Sequence, residues 1–413
     1  MKRARDRYEH RKQVEQVRSQ RGLTVEIERI VPGGLGIGHA EKMTVLAPFT
    51  APGDTVRVGI DKVRGSTAFS VVQEIHTPGP ERVEPKCPHF GVCGGCDFQH
   101  LSYDGQLEAK SAILADCFRR IGGIELEEIE LVPSPLQWGY RIRADWAVDS
   151  KKKIMGYHQR NSRDVFDVHT CPILDPVLDL ARISLRDGIQ NGEIDVQSDI
   201  LGASSAKEFT ISPRIPEFPG SLLTLDVAGE RYGFDATSFF QANASILPEF
   251  IEYVIDQASD GDRTIEGEAI DLYSGVGLFT LPLARRFTHV TGVETNPKSA
   301  SFAHESIRAA GLTNTTISGL PVDQWLRRKA GMIEAISTIV LDPPRTGAEP
   351  DVLSGMVQLA PERIVYVSCD PATLARDLKV LLASGYELGD VRAFDMFPQT
   401  HHVECVATLT RSA

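Results

Sequence analysis

The chain has 413 residues, 42% of them hydrophobic, with 44 Lys and Arg against 56 Asp and Glu for a net charge of -12. The length predicts two or three domains, and the acidic balance excludes a protein that coats nucleic acid indiscriminately while leaving room for a local basic surface. No apolar run reaches the ~18 residues of a membrane helix and the N-terminus lacks the apolar core of a signal peptide, so a cytoplasmic protein with no membrane partner is expected.

Residues 1–22 carry eight Lys or Arg against three acids. This stretch predicts either a solvated tail or an arm that meets phosphates. Residues 23–78 read as short strands broken by the turns PGGLG and APGD, the pattern of a small β-barrel. TPGPERVEP (77–85) reads as a linker. Residues 103–122 have helical periodicity and end at Gly122-Gly123. Residues 124–235 read as mixed and mostly strand-like, with no clear helical core. From about residue 262 apolar strands alternate with helices, which predicts a parallel sheet with helices on both faces.

The seven cysteines are Cys87, Cys93, Cys96, Cys117, Cys171, Cys369 and Cys405. An odd count without an export signal does not suggest a disulfide framework; clustered thiols suggest a metal site and isolated ones catalysis or packing. Cys87, Cys93 and Cys96 form a CxxxxxCxxC cluster rich in glycine. Cys171 is the best distant candidate for a fourth ligand. Four Cys suit zinc or iron–sulfur, and His89 and His100 keep a Cys/His zinc site open. Cys117 and Cys405 read as core residues.

Asp271-Leu-Tyr-Ser-Gly275-Val-Gly277 sits at a strand-to-helix turn, where glycines let a ligand approach the backbone. Glu294 ends the next strand, where a carboxylate can accept both hydroxyls of a ribose. Asp342-Pro343-Pro344-Arg345 ends a later one. The third glycine of a dinucleotide motif is absent, so the set suits S-adenosylmethionine better than NAD. Cys369, at the end of RIVYVS, lies where such sheets bind ligands. A thiolate there can add to C6 of a uracil ring and turn C5 into a carbon nucleophile. A base must then remove the C5 proton, and Glu404 in MFPQTHHVECV is the best candidate.

With these residues in hand, the chain resembles the RNA uracil-C5 methyltransferase family, and most closely its bacterial 23S rRNA branch, from about residue 23 to 410. The N-terminal barrel resembles a TRAM domain, an OB-like RNA-binding module. CPHFGVCGGCDFQHLSYDGQLEAK with the later CPI resembles that branch's 4Fe–4S segment. SFFQAN, DLYSGVGLFT, GVETN, LDPPRTG, SCDPATLARDL and FPQTHHVE resemble its catalytic motifs in order.

The resemblance implies a multidomain chain. It would comprise a basic tail (1–22), an OB-like β-barrel (23–78), a central mixed α/β iron–sulfur and RNA-binding domain (79–235), and a Rossmann-like α/β class I methyltransferase domain (236–413). Helix 103–122 is expected to pack on the last. The resemblance implies cofactor contacts at Gln241, Tyr273, Gly275, Gly277, Glu294 and Asp342, with S-adenosylmethionine as methyl donor. Cys369 would be the nucleophile and Glu404 the base. Cys87, Cys93, Cys96 and Cys171 would hold a 4Fe–4S cluster. YRIRADW resembles a basic stretch of the central region, so Arg141 and Arg143 are expected to meet RNA. The expected partner is RNA, 23S rRNA rather than tRNA, with no obligate protein partner. Departures from the family pattern are Asp370 in place of an Asn, Leu278, and Pro321 after the third catalytic-domain strand. An amino-group RNA methyltransferase is the competing reading, because DPPR is similar to an NPPY-type motif.

Overall fold

The computed structural model describes residues 22–126, 129–220, 222–259, 261, 265–329 and 336–412. The basic stretch 1–22 therefore lies, but for Gly22, outside the described residues. The chain divides into two compact units: residues 1–116 with 399–401, and residues 117–398 with 402–413.

The first unit holds a six-stranded sheet of β1 (Leu23–Glu26), β2 (Arg29–Val31), β3 (Leu35–Ala40), β4 (Met43–Pro48), β5 (Thr55–Arg64) and β6 (Thr67–Thr77) in the order β1-β5-β6-β4-β3-β2. All pairs are antiparallel except β4 with β6. Alternate residues such as Leu23 and Val25, Met43 and Val45, and Val56 and Val58 fill one core, as period-2 patterning requires. After β6 the chain is tied back to the sheet by Arg82. Its guanidinium donates to the buried Asp54 carboxylate, which also accepts the Ala51 and Gly79 N–H groups. The Cys-rich segment follows, and then α1 (Tyr103–Cys117).

The second unit opens with a single π turn, Phe118–Gly122, closed by Gly123 in the left-handed conformation. It continues through β7 (Glu130–Val132), β8 (Arg143–Asp149), β9 (Ile154–His158), β10 (Val165–Asp167), α2 (Pro176–Asn191), β11 (Ile200–Ser204), β12 (Phe209–Ser212), β13 (Leu223–Val227) and β14 (Glu230–Phe234). A five-stranded sheet, β10-β9-β8-β11-β12, packs on α2. That helix was not expected in a segment read as strand-like. Asp175 caps it through the Val177 and Leu178 N–H groups, Pro176 opens it, and Gly192 ends it. Leu178, Ala181, Leu185 and Ile189 are its buried face.

The remaining elements are α3 (Leu247–Ser259), β15 (Ile265–Leu272), α4 (Thr280–Ala284), β16 (Phe287–Val293), α5 (Pro297–Ala309), β17 (Thr315–Ser318), α6 (Val322–Lys329), β18 (Ile336–Leu341), α7 (Pro350–Leu359), β19 (Arg363–Ser368), α8 (Pro371–Ala383), β20 (Tyr386–Phe394) and β21 (Glu404–Arg411). They build an eight-stranded sheet in the order β17-β16-β15-β18-β19-β21-β20-β7. Consecutive residues of β15, β18 and β19 are buried, so both faces of the centre are covered.

This sheet is mixed rather than parallel. The strands from β17 to β19 are parallel, β21 runs antiparallel to both its neighbours, and β7 pairs in parallel with β20. β7 comes from the segment expected in a separate central domain, so that boundary cuts across one sheet. The π turn at Phe118–Gly122 packs on α8, and an alanine Cβ at Gly122 would meet the Ala375 carbonyl at 3.3 Å.

Candidate active site

Strand order decides where the site lies. The chain leaves β15 toward β16 and β17 on one side, then returns to β18 and β19 on the other. The crevice outside the carboxyl ends of β15 and β18 is the switch point where open α/β sheets bind ligands. The motifs DLYSG, GVETN, LDPPRTG and SCDP each span the end of a strand there. Because β21 is antiparallel, its first residue, Glu404, lies at the same edge.

The β15 turn is shaped by backbone conformation. Tyr273, Gly275 and Gly277 have positive φ values of 65, 56 and 90°. The φ of Gly277 lies in the left-handed region that favours glycine, and a Cβ there would also approach the Leu281 side chain to 2.8 Å. Glu294, at the end of β16, accepts the Gly275 N–H through Oε2 (2.9 Å) and the Asn296 N–H through Oε1 (2.6 Å). Two backbone donors thus fix the carboxylate and leave lone pairs for a diol. Pro321, in the turn after β17, accepts the Trp325 N–H at the start of α6.

Next to this turn, buried polar atoms lack partners. Among the described residues, Asp271 Oδ1, Ser274 Oγ and Glu404 Oε1 are buried without a hydrogen bond. Buried polar groups are rarely left so. These residues therefore fit a polar ligand that supplies the missing partners, as S-adenosylmethionine would. The Asp271 carboxyl is raised to about 7, chiefly by burial, with the nearby Asp342 and Glu294 contributing and the Thr280 hydroxyl, 2.6 Å from Oδ2, working against the rise.

The second half of the site gathers Gln241, Asp342, Arg345, Cys369 and Glu404. Gln241 is 4% exposed and donates to Asp342 Oδ2 at 3.2 Å. Cys369 is half-buried at the end of β19. Its thiol is raised to about 12, chiefly by burial, with Glu404 and Asp342 contributing to the rise and Arg345 opposing it through its charge and a hydrogen bond to the sulfur. Glu404 is buried and its carboxyl is raised by burial and by Asp342, with Arg345 again opposing. Asp342 is raised as well, by burial. The nearness of Asp342 disfavours a second negative charge at Glu404. Asp370, where the family pattern has Asn, caps α8 through the Ala372 and Thr373 N–H groups, a role either residue fills.

Asp271, Ser274 and Arg345 were within the sequence motifs but had been given no role. Their signal was position: each sits in a strand-end turn beside an assigned residue. Arg143, expected to meet RNA, is engaged within the fold. Its guanidinium donates to the carbonyls of Asp235 (3.3 Å), Ala236 (3.2 Å) and Ser238, so it braces the loop that leads to Gln241. Arg141 Nε donates to the Arg143 carbonyl (2.9 Å).

The Cys-rich segment belongs to the first unit and Cys171 to the second. Cys87, Cys93, Cys96 and Cys171 are all half-buried. The Gly95 N–H donates to Cys93 Sγ at 3.4 Å, and the Cys87 N–H to Gln99 Oε1 at 3.0 Å. Among the described residues no group of three or more His, Cys, Asp or Glu is gathered closely enough to hold a metal ion. Likewise no described helix is long and apolar enough to cross a membrane.

Residues 174–412 match the family model for tRNA (Uracil-5-)-methyltransferase, and residues 17–72 match the TRAM domain. The chain belongs to the RNA (uracil-5-)-methyltransferase family. It is accordingly an enzyme that methylates C5 of uracil in RNA, with S-adenosylmethionine as methyl donor. Among relatives in the family, the 23S rRNA (uracil(1939)-C(5))-methyltransferase RlmD of Alkalilimnicola ehrlichii is 34% identical, with 92% of this chain and 94% of that one aligned. The protein of the same name from Pectobacterium atrosepticum is 32% identical, over 94% and 93%. Among solved structures, the Pyrococcus abyssi tRNA (uracil-54, C5)-methyltransferase in complex with S-adenosyl-L-homocysteine superposes with a TM-score of 0.71 at 25% identity, over 94% of this chain and all of that one.

Proposed function

We propose that this methyltransferase acts on a uridine of 23S rRNA, with Cys369 as nucleophile and Glu404 as general base. The observation that carries the reading is the register across β19 and β21. Ser368 pairs with Cys405, so one step further the antiparallel register sets Cys369 opposite Glu404.

The target base must leave its stack, since C6 cannot be attacked inside a helix. Cys369 Sγ bonds to C6, and the C5=C6 electrons shift onto the ring as an enolate. Bound S-adenosylmethionine supplies the methyl group that C5 then takes. C5 now carries both a hydrogen and a methyl. Glu404 removes the proton, its electron pair re-forms C5=C6, and the C6–S bond breaks to release the thiolate. Arg345 favours that thiolate at both ends of the cycle. Glu294 would hold the ribose hydroxyls, Gln241 and Asp342 would border donor and uracil, and the Tyr273–Gly277 turn would admit the donor to the backbone.

The curated relatives' names favour 23S rRNA as substrate, and the N-terminal sheet would serve as an OB-like RNA-binding barrel, with Arg141 and the basic stretch 1–22 as further phosphate contacts. Cys87, Cys93, Cys96 and Cys171 are the proposed ligands of a 4Fe–4S cluster. Four thiols suit iron–sulfur, and the Gly95 N–H donated to Cys93 Sγ is the kind of contact that steadies a thiolate ligand. Such a cluster would tie chain segments together; the methyl transfer balances without an electron. Anaerobic purification with iron and sulfide analysis tests it, and zinc in place of iron would overturn it.

Substrate choice is tested by offering unmodified 23S rRNA and bulk tRNA side by side with labelled donor, then mapping the nucleosides. 5-Methyluridine in 23S rRNA alone is expected. Label in tRNA alone would move the substrate to the class named for the Pyrococcus structure.

A further inference from the structure

The base does not sit on a free strand end. Between β20 and β21 the chain runs through residues 395–403, and this loop is gripped on both sides of the turn. Within the second unit, the buried Tyr140 hydroxyl donates to the Pro398 carbonyl at 2.9 Å. Residues 399–401 belong to the first unit, and there the contacts are dense.

The Gln399 carbonyl accepts both the Asp97 and Phe98 N–H groups, at 3.1 and 3.0 Å. Gln106, on α1, brackets the same residue: its Oε1 accepts the Gln399 N–H at 2.9 Å and its Nε2 donates to Gln399 Oε1 at 3.1 Å. Gln399 has a φ of 70°, a conformation that a non-glycine residue adopts at a cost and keeps only when its surroundings impose it. Two residues on, the His401 N–H donates to Asp97 Oδ1 at 2.8 Å, and its imidazole Nδ1 meets Asp97 Oδ2. The β2–β3 turn closes over this pair. At Gly34, φ 72°, a Cβ would lie 3.1 Å from His401 Cβ and 3.2 Å from Asp97 Oδ2. Gln106 and Gln399 are almost fully buried, at 1% and 2% exposure.

We propose that Asp97 and Gln106 are positioning residues for the general base: by seating His401 and Gln399 they set where Glu404, three residues beyond His401, enters β21. This rests on the reading of Glu404 as base. Asp97 directly follows Cys96 in the chain. The reaction sequence says which step should suffer. Adduct formation and methyl transfer do not use Glu404, whereas removal of the C5 proton and release of the thiolate do. A misplaced base should therefore leave a methylated RNA–enzyme adduct that resolves slowly.

The test is a single-turnover experiment on the full chain with unmodified 23S rRNA and labelled donor, following adduct and free product on denaturing gels. Asp97→Ala and Gln106→Leu should form adduct at the wild-type rate, bind S-adenosylmethionine normally, and resolve the adduct about ten- to a hundred-fold more slowly, the scale expected of an ångström-sized displacement. Asp97→Asn, which keeps an acceptor for the His401 N–H, should fall between them and wild type. Gln106 lies outside the Cys-rich segment, so its variant separates base placement from any loss of metal. Adduct resolving at the wild-type rate in both variants would overturn the proposal, and so would a parallel loss of adduct formation and donor binding. Glu404→Gln serves as reference: if that variant resolves its adduct normally, the assignment of the base has failed instead.

Discussion

Cys369 and Glu404 face each other across an antiparallel strand pair, one step beyond the register contact of Ser368 with Cys405. Adjacent strands stand ~5 Å apart, which is the reach needed for one uracil ring to touch a nucleophile at C6 and a base at C5. Glu404 also raises the proton affinity of the Cys369 thiol. The nucleophile must be ionised to attack, and the base must be ionised to finish. Glu404→Gln should therefore slow adduct resolution by about 10²–10⁴-fold while leaving adduct formation intact, as followed by single-turnover gels. In the wild type the carboxyl of Glu404 is raised above its usual range, so it loses its proton only as pH rises. The resolution rate should rise with pH as this carboxyl ionises; a rate independent of pH would count against Glu404.

Arg345 opposes the rise in the Cys369 thiol. Without it, burial and the two carboxyls act unopposed, and the thiol moves further up. Arg345→Ala should slow iodoacetamide alkylation of Cys369 at pH 8 and shift the alkylation profile to higher pH. An unchanged profile would show that this guanidinium does not govern the nucleophile.

Glu294, the proposed ribose ligand, is held by the Gly275 and Asn296 N–H groups. Hydrogen bonds to a charged group contribute about 1.5–3 kcal/mol each. Glu294→Ala should weaken S-adenosylmethionine binding by at least ten-fold in equilibrium dialysis. Retained affinity would relocate the ribose site.

Asp271 bears on stability. Its folded-state carboxyl is raised to about 7 from 3.8. Below pH 4 it is protonated in both states and costs nothing. As pH rises from 4 to 7 the unfolded chain ionises more readily, so the native state loses stability, and above 7 the loss is complete. Asp271→Asn, measured without donor, should gain melting temperature over wild type progressively from pH 4 to 7 and then level off. A gain independent of pH would assign the effect to packing rather than charge.

Much of the catalytic half was legible because its signals are local. Apolar strands ending in DLYSG, ETN, DPPR and SCDP carry their chemistry at the turn, and the parallel order of such strands follows from the alternation with helices. Helix α2 was legible too and was passed over: Asp175-Pro176 opens it, Gly192 closes it, and Leu178, Ala181, Leu185 and Ile189 keep helical spacing. The short strand β7 could not be read, because Glu130–Val132 gains its conformation only by pairing with β20 far along the chain. The seat of Gln399 and His401 on Asp97 and Gln106 was equally hidden, since its bonds join residues about 300 positions apart. The carbonyl contacts of Arg143 were hidden for a related reason: composition shows a cation, and only the fold shows the three carbonyls it donates to.

The covalent role of Cys369 is the centre of the account, and 5-fluorouridine-substituted 23S rRNA tests it most directly. Fluorine at C5 cannot leave as a proton does, so the adduct should persist after methyl transfer. The expected result is a donor-dependent RNA–enzyme adduct that survives denaturation, maps by mass spectrometry to the peptide containing Cys369, and is absent from Cys369→Ala. No adduct, or one attached to another residue, alongside normal methylation of unsubstituted RNA, would contradict the assignment of Cys369 as nucleophile.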